Sequence, residues 1–391
     1  MAAEKAKSDA AKAGTATPPA YSPGLEGVIA GESAICQVNA DAGLLYRGYD
    51  VHDLAKQCTY EQVAYLLLMG ELPDAAQLAR FRSELDAHRK LPDQVIGTLR
   101  LQPRGAHPMD VLRTGVSMLA GFDQDLNDNS HEANLRKSIR LLARINSLAA
   151  TAHRVANGKE PVAPQPGLSH AADFLQQLTG KPAEDWMIKA LNVLFILYAE
   201  HDFNASTFAA RVTASTLADL YAAVTAALAA LKGPLHGGAN EQAMAMLEEV
   251  SKAPDPEAWV ANRLAKKQLI MGFGHRIYKK GDGRAAIMHE MAKEIGPRVG
   301  QTNWVPAAEA LEAAMAKQKG LFANADLYAA PLFHMMGIAS ELNTPIFAVG
   351  RCAGWCAHVT EQQDHNRLIR PKSLYTGVAP RPLPPAMELA K

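Results

Sequence analysis

Cysteine is scarce in this sequence, with four in 391 residues, at positions 36, 58, 352 and 356. That is too few for a disulfide framework. Cys352 and Cys356 share a helix face by their spacing, but no second ligand pair accompanies them, so a zinc site is not expected. Buried, reduced thiols in a reducing compartment, the cytoplasm, are the reading. Net charge is also missing: 40 Lys and Arg balance 40 Asp and Glu. No global basic field exists to gather nucleic acid or an anionic membrane, so neither is expected as a partner. Any affinity for anions must come from a few placed arginines. No apolar run is long enough to span a bilayer; the longest, 190–199, is interrupted by Asn192. The GK[ST] ending of a phosphate loop and the GxGxxG turn of a dinucleotide site are absent as well.

What remains is an apolar, helix-favouring chain. Hydrophobic residues make up 48% of it, enough for a substantial core, and the length fits one large or two unequal domains. Residues 1–23, rich in Ala, Lys, Ser and Pro, have no apolar h-region and no Arg, and read as a flexible tail. Residues 27–48 have short-period apolar triplets at 28–30, 34–36 and 44–46, which predict small strands or a hairpin. Beyond them Ala and Leu dominate, aromatics are few and β-branched runs are short. Start and stop signals predict helices at 60–69 (after Thr59, before Gly70), 109–120 and 183–199. An Ala-rich stretch at 206–231 follows. Further helices are expected at 240–250, 256–267, 283–294, 306–319, 331–342 and 346–362. Residues 156–169 form the clearest internal loop. Strands do not alternate with helices, so the expectation is an all-α array and not a Rossmann sheet.

Several motifs have the residues for chemistry. His236 sits between a Pro turn and a Gly pair in GPLHGGAN, and His275 between glycines in GFGHRIY. Glycine lets backbone approach a ligand closely, and two such histidines could polarise or exchange protons. Each could equally be an incidental turn residue. His201 and Asn204, in HDFNASTF, close an apolar helix; a helix-capping break is the alternative. Asp326 precedes an apolar helix and is either a cap or a general base. Arg284 and Arg351 open helices, and Arg370 lies in a loop; Trp355, His358 and Gln362 share Arg351's face by spacing. Guanidinium forks suit dicarboxylates, although most surface arginines are simply solvated.

Together these segments resemble the citrate synthase family. The matching stretches are 44–49 (LLYRGY), 107–113 (HPMDVLR), 198–211 (YAEHDFNASTFAAR), 233–241 (GPLHGGANE), 272–279 (GFGHRIYK), the Asp326 segment and 345–371, in family order. The resemblance implies an all-helical homodimer with minor N-terminal strands, a large domain of residues 24–236 plus 332–391 and a small one of 237–331. It implies condensation of acetyl-CoA with oxaloacetate and water to give citrate and CoA. His236, His275 and Asp326 would be catalytic. His201, Arg284, Arg351 and Arg370 would hold substrate carboxylates, with Arg370 completing the partner subunit's site. Gln268, Leu269, Ile270, Met271 and Gly272 would meet coenzyme A. No metal and no permanently bound cofactor is implied; acyl-CoA is a co-substrate. Two departures bear on pocket shape: Gly283 stands where the family often has Pro, and Leu327 where it often has an aromatic residue. Stretches 198–211 and 107–113 also resemble 2-methylcitrate synthases, which use propionyl-CoA.

Overall fold

The computed structural model describes residues 21–39, 43–274, 278 and 281–382. The chain divides into a terminal unit, Met1–Glu32 with Arg370–Lys391, and a body, Ser33–Ile369. The described part of the terminal unit holds a single 3-10 turn, Pro23–Leu25, and irregular chain. Residues 28–30, expected as a strand, lie there without regular structure. Val28 and Ile29 are exposed, and among the described residues no strand pairs with them to form a ladder.

The body opens with a three-stranded antiparallel sheet. Strand β1 (Cys36–Asn39) pairs with β2 (Gly43–Tyr46), and β2 with β3 (Tyr49–Asp50). The remaining regular structure is helical: α1 (Val51–Gln57), α2 (Tyr60–Met69), α3 (Ala75–His88), α4 (Asp93–Arg100), α5 (Pro108–Leu119), α6 (His131–Ala156), α7 (His170–Thr179) and α8 (Asp185–Tyr198) come first. Then follow α9 (Ala205–Ala214), α10 (Leu220–Leu231), α11 (Ala239–Val250), α12 (Pro256–Ala265), α13 (Gly283–Arg298), α14 (Trp304–Lys319), α15 (Ala325–Met335) and α16 (Asn343–Asp364). The all-α expectation holds.

Caps explain both agreements and departures. Thr59 and Gln62 form a reciprocal capping box at the start of α2, and left-handed Gly70 ends it, as the sequence indicates. The stretch 206–231 is two helices. Leu217 adopts a left-handed φ of 66°, and Asp219 restarts the chain by accepting the Ala222 N–H at 3.0 Å. The helix expected from 331 begins at Ala325 instead, because Asn324 caps it; Pro331 lies inside.

Helix α16 is buried along nearly its whole length and packs on α2, α6, α8, α9 and α10. Its glycines let α8 approach. A Cβ at Gly350 would lie 3.1 Å from the Tyr198 Cβ, and one at Gly354 only 2.2 Å from Glu200 Oε2 and 2.3 Å from the Ala199 carbonyl. The last carbonyls of α8 lack helical partners. Tyr46 of β2 reaches them, its hydroxyl lying 3.1 Å from the Ile196 oxygen and 2.9 Å from the Glu200 oxygen. Helices α11, α12, α13, α14 and α15 pack largely on one another.

Two glycine substitutions should therefore act in opposite directions. Gly354→Ala forces backbone apart and should lower stability by about 2 kcal/mol or more. Gly97→Ala, inside α4 with nothing within 4 Å of the new carbon, should raise it by about 0.5–1 kcal/mol. Urea unfolding of the two variants beside the parent measures both.

Candidate active site

A cavity of about 520 Å³ is lined by residues 201–205, 234–237, 269–274, 284, 324–326, 347 and 351. The first wall is the turn after α8. His201 is buried there, and Asp202 takes a left-handed φ of 53°. Asn204 caps α9: its Oδ1 accepts from the Thr207 N–H at 3.1 Å, and its amide donates to the His201 carbonyl at 3.2 Å. Capping and cavity lining thus coincide in this motif.

The second wall is the turn between α10 and α11. A Cβ at Gly237 would lie 2.9 Å from the Leu231 carbonyl, so the turn folds tightly onto the end of α10 and presents His236. The Ser206 backbone N–H points at His236 Nε2 from 3.4 Å, and the Ser206 hydroxyl lies 2.9 Å from the same nitrogen. Trp355 donates its indole N–H to that hydroxyl at 3.2 Å. A backbone N–H only donates, so Nε2 accepts and the ring proton resides on Nδ1. Burial, reinforced by the charge of Arg351, lowers the His236 pKa from 6.5 to about 4. The ring is therefore a neutral Nδ1–H donor.

The third wall is the loop 269–274, laced to the segment that enters α15. Gly274 donates to the Phe322 carbonyl and Asn324 to the Gly272 carbonyl, each at 2.9 Å. A Cβ at Gly272, which has a φ of 84°, would lie 3.1 Å from the Leu327 Cα. Asn324 Oδ1 accepts the Asp326 N–H at 3.0 Å. Asp326 thus stands in the first turn of α15, where the helix dipole favours its carboxylate.

Two buried guanidinium groups complete the cavity. Arg284 grips Asp282 through Nε at 3.0 Å and an amino nitrogen at 2.7 Å. Burial opposes its charge, but the attraction and hydrogen bonds of Asp282 prevail and raise its pKa. Arg351 is 1% exposed and has no such fork. Its Nε donates to the Tyr198 carbonyl, its guanidinium carbon lies 4.8 Å from the centre of the Phe347 ring, and one terminal nitrogen has no hydrogen-bond partner. Burial lowers its pKa, against the pull of Glu200.

The cavity thus brings together His201, His236, Arg284, Asp326, Arg351, Leu269, Ile270, Met271 and Gly272. Gln268 is exposed and is not part of its lining. His275 lies outside the described residues. Arg370 belongs to the terminal unit and is exposed. Phe347 and Asp282 went unread in the sequence, although Phe347 lies one helical turn before Arg351. A Cβ at Gly283 would lie 2.8 Å from His52 Cε1, so a proline there would have to displace His52. Among the described residues no group of three or more His, Cys, Asp or Glu could hold a metal ion. No helix among them is long and apolar enough to cross a membrane.

The family model "Citrate synthase, C-terminal domain" matches residues 24–372, and the chain belongs to the citrate synthase family. It is 44% identical over 359 residues to a citrate synthase of Heyndrickxia coagulans, covering 91% of this chain and 96% of that one. It is also 44% identical over 364 residues to a 2-methylcitrate synthase of Shewanella oneidensis, with 93% and 96% covered. A solved ternary complex of carboxymethyl coenzyme A and oxaloacetate with citrate synthase from Thermoplasma acidophilum superposes with a TM-score of 0.88. There the identity is 32%, and 94% of this chain and 99% of that one are covered.

The depressed His236 pKa has a sign that can be checked. Below pH 6.5 the unfolded chain takes up a proton that folded His236 refuses until about pH 4, so stability falls as pH drops through that window. His236→Gln should lose this part of the acid slope in urea unfolding measured between those limits. Ring nitrogen NMR shifts of His236 at pH 5.5 should report a neutral Nδ1–H ring; an imidazolium signal would contradict the assignment.

Proposed function

We propose that this enzyme condenses acetyl-CoA with oxaloacetate and water, releasing citrate and CoA. The observation that carries the proposal is the convergence, in one cavity, of the Asp326 carboxylate, a neutral His236 and two buried arginines. The Asp326 carboxylate takes a proton from the acyl α-carbon. His236 Nδ1–H donates to the thioester oxygen and holds the developing enolate, a contribution worth about 3 kcal/mol for one such donor. The nucleophilic carbon attacks the keto carbon of oxaloacetate, whose oxygen His275 polarises. Water then cleaves the thioester and CoA leaves. Arg284, Arg351 and His201, which line the cavity, hold the carboxylates through charge-assisted hydrogen bonds. Residues 269–272 receive coenzyme A.

The finer arrangement belongs to the same proposal. The large domain comprises 24–236 with 332–391 and the small domain 237–331, the latter supported by the mutual packing of α11 to α15. Closure between them would exclude water from the reacting groups. The enzyme works as a cytoplasmic homodimer in which Arg370 completes the partner's site.

Propionyl-CoA is the second reading, favoured by the 44% identity to a 2-methylcitrate synthase. One methylene changes pocket binding by about 1–3 kcal/mol. Free-thiol release from acetyl-CoA and oxaloacetate should be readily detected, and Asp326→Ala should lower kcat about 10²–10⁴-fold. Comparing kcat/KM for acetyl-CoA and propionyl-CoA decides between donors; a clear propionyl preference overturns the acetyl assignment.

A further inference from the structure

Arg351, Trp355, His358 and Gln362 share one face of α16, yet only Arg351 lines the cavity. His358 is wholly buried. Its Nδ1 lies 2.9 Å from an amino nitrogen of Arg211, and its Nε2 lies 2.9 Å from Glu200 Oε1. A guanidinium only donates, so Nδ1 accepts and the ring proton on Nε2 goes to Glu200. The same Arg211 nitrogen donates to Glu361 Oε2 at 2.7 Å, and its Nε donates to Gln362 Oε1 at 3.2 Å. Glu361 is anchored in turn by the Ala34 N–H at 2.9 Å.

Glu200 connects this buried chain to the cavity. It lies between Tyr198, whose carbonyl takes the Arg351 Nε–H, and His201, which lines the wall. Its carboxylate sits in the groove that Gly354 leaves open. We propose that Glu200 and His358 are a positioning pair that fixes the 198–201 turn and, through it, places Arg351 and His201 to receive the carboxylates of the keto-acid substrate. This rests on the oxaloacetate reading above. Neither residue lines the cavity; the pair acts through the backbone that carries the groups that do, and Glu200 also through its field on Arg351. Losing the pair should weaken capture of oxaloacetate and spare the acyl-CoA, whose loop is tied to the 322–324 segment instead.

Two amide substitutions at 358 separate the ends of the relay. His358→Gln puts an amide where Nε2 stood and keeps a donor for Glu200. His358→Asn puts it where Nδ1 stood, keeps Arg211 engaged and leaves Glu200 without its donor. In steady-state kinetics of the full chain, His358→Asn should raise the KM for oxaloacetate about tenfold or more and leave that for acetyl-CoA within about twofold. His358→Gln should restore the oxaloacetate value. Equal KM values for oxaloacetate in the two variants, or a parallel rise for both substrates, would overturn the proposal. If His358→Asn does not fold, His358→Met, compared with His358→Gln, carries the test, since it removes the donor to Glu200 and keeps the carboxylate whose field offsets the charge of Arg351. A raised KM for oxaloacetate supports the pair, and an unchanged one overturns it. Absence of turnover in the parent protein would sink the assignment of the reaction itself. The pair would then be judged by calorimetric binding of oxaloacetate to the same proteins, with the same ordering expected and equal affinities overturning it.

Discussion

The structure turns on a positive charge kept away from water. Taking an ion out of solvent costs several kcal/mol, and a partner must offset that cost. Arg284 meets it with a two-point grip on Asp282. Arg351 does so only in part, through a backbone carbonyl, an aromatic face and the field of Glu200. Much of the surrounding architecture follows from keeping that guanidinium in place. The glycines of α16 bring α8 close enough for the Tyr198 carbonyl to reach it, and Tyr46 ties off the end of α8.

The cavity side chains are set by a shared device. Asparagine caps two of the helices that line the cavity, Asn204 at α9 and Asn324 at α15. Each frees the first turn of its helix to present a functional group, the Ser206 amide in one case and the Asp326 carboxylate in the other. The Ser206 amide fixes which nitrogen of His236 carries the proton, and Trp355 holds the hydroxyl beside it. A carboxylate and an imidazole are thereby oriented by local backbone geometry.

Much of this was legible in the residues. Glycine-framed His236, the cap at Thr59 and the shared face of Arg351 and His358 are short-range signals, and short-range physics governs them. Helix α6 was harder to see. Asn134, Lys137, Ser138, Arg140 and Asn146 are buried along it and interrupt the apolar stripe that periodicity relies on. Asp219 hid inside an Ala-rich stretch, so two helices read as one. The Glu200–His358 contact joins residues 158 positions apart, a tertiary fact with no local trace. His275, whose motif the sequence marks clearly, lies outside the described residues.

The hydrogen bonds between 272–274 and 322–324 also bear on how the cavity moves. They splice the loop to the root of α15, so a thermal excursion of one drags the other. The 269–274 wall and the Asp326 carboxylate are thereby coupled as a single mechanical part. Breathing of the molecule then alters how wide the entrance stands without changing the alignment of that wall with Asp326.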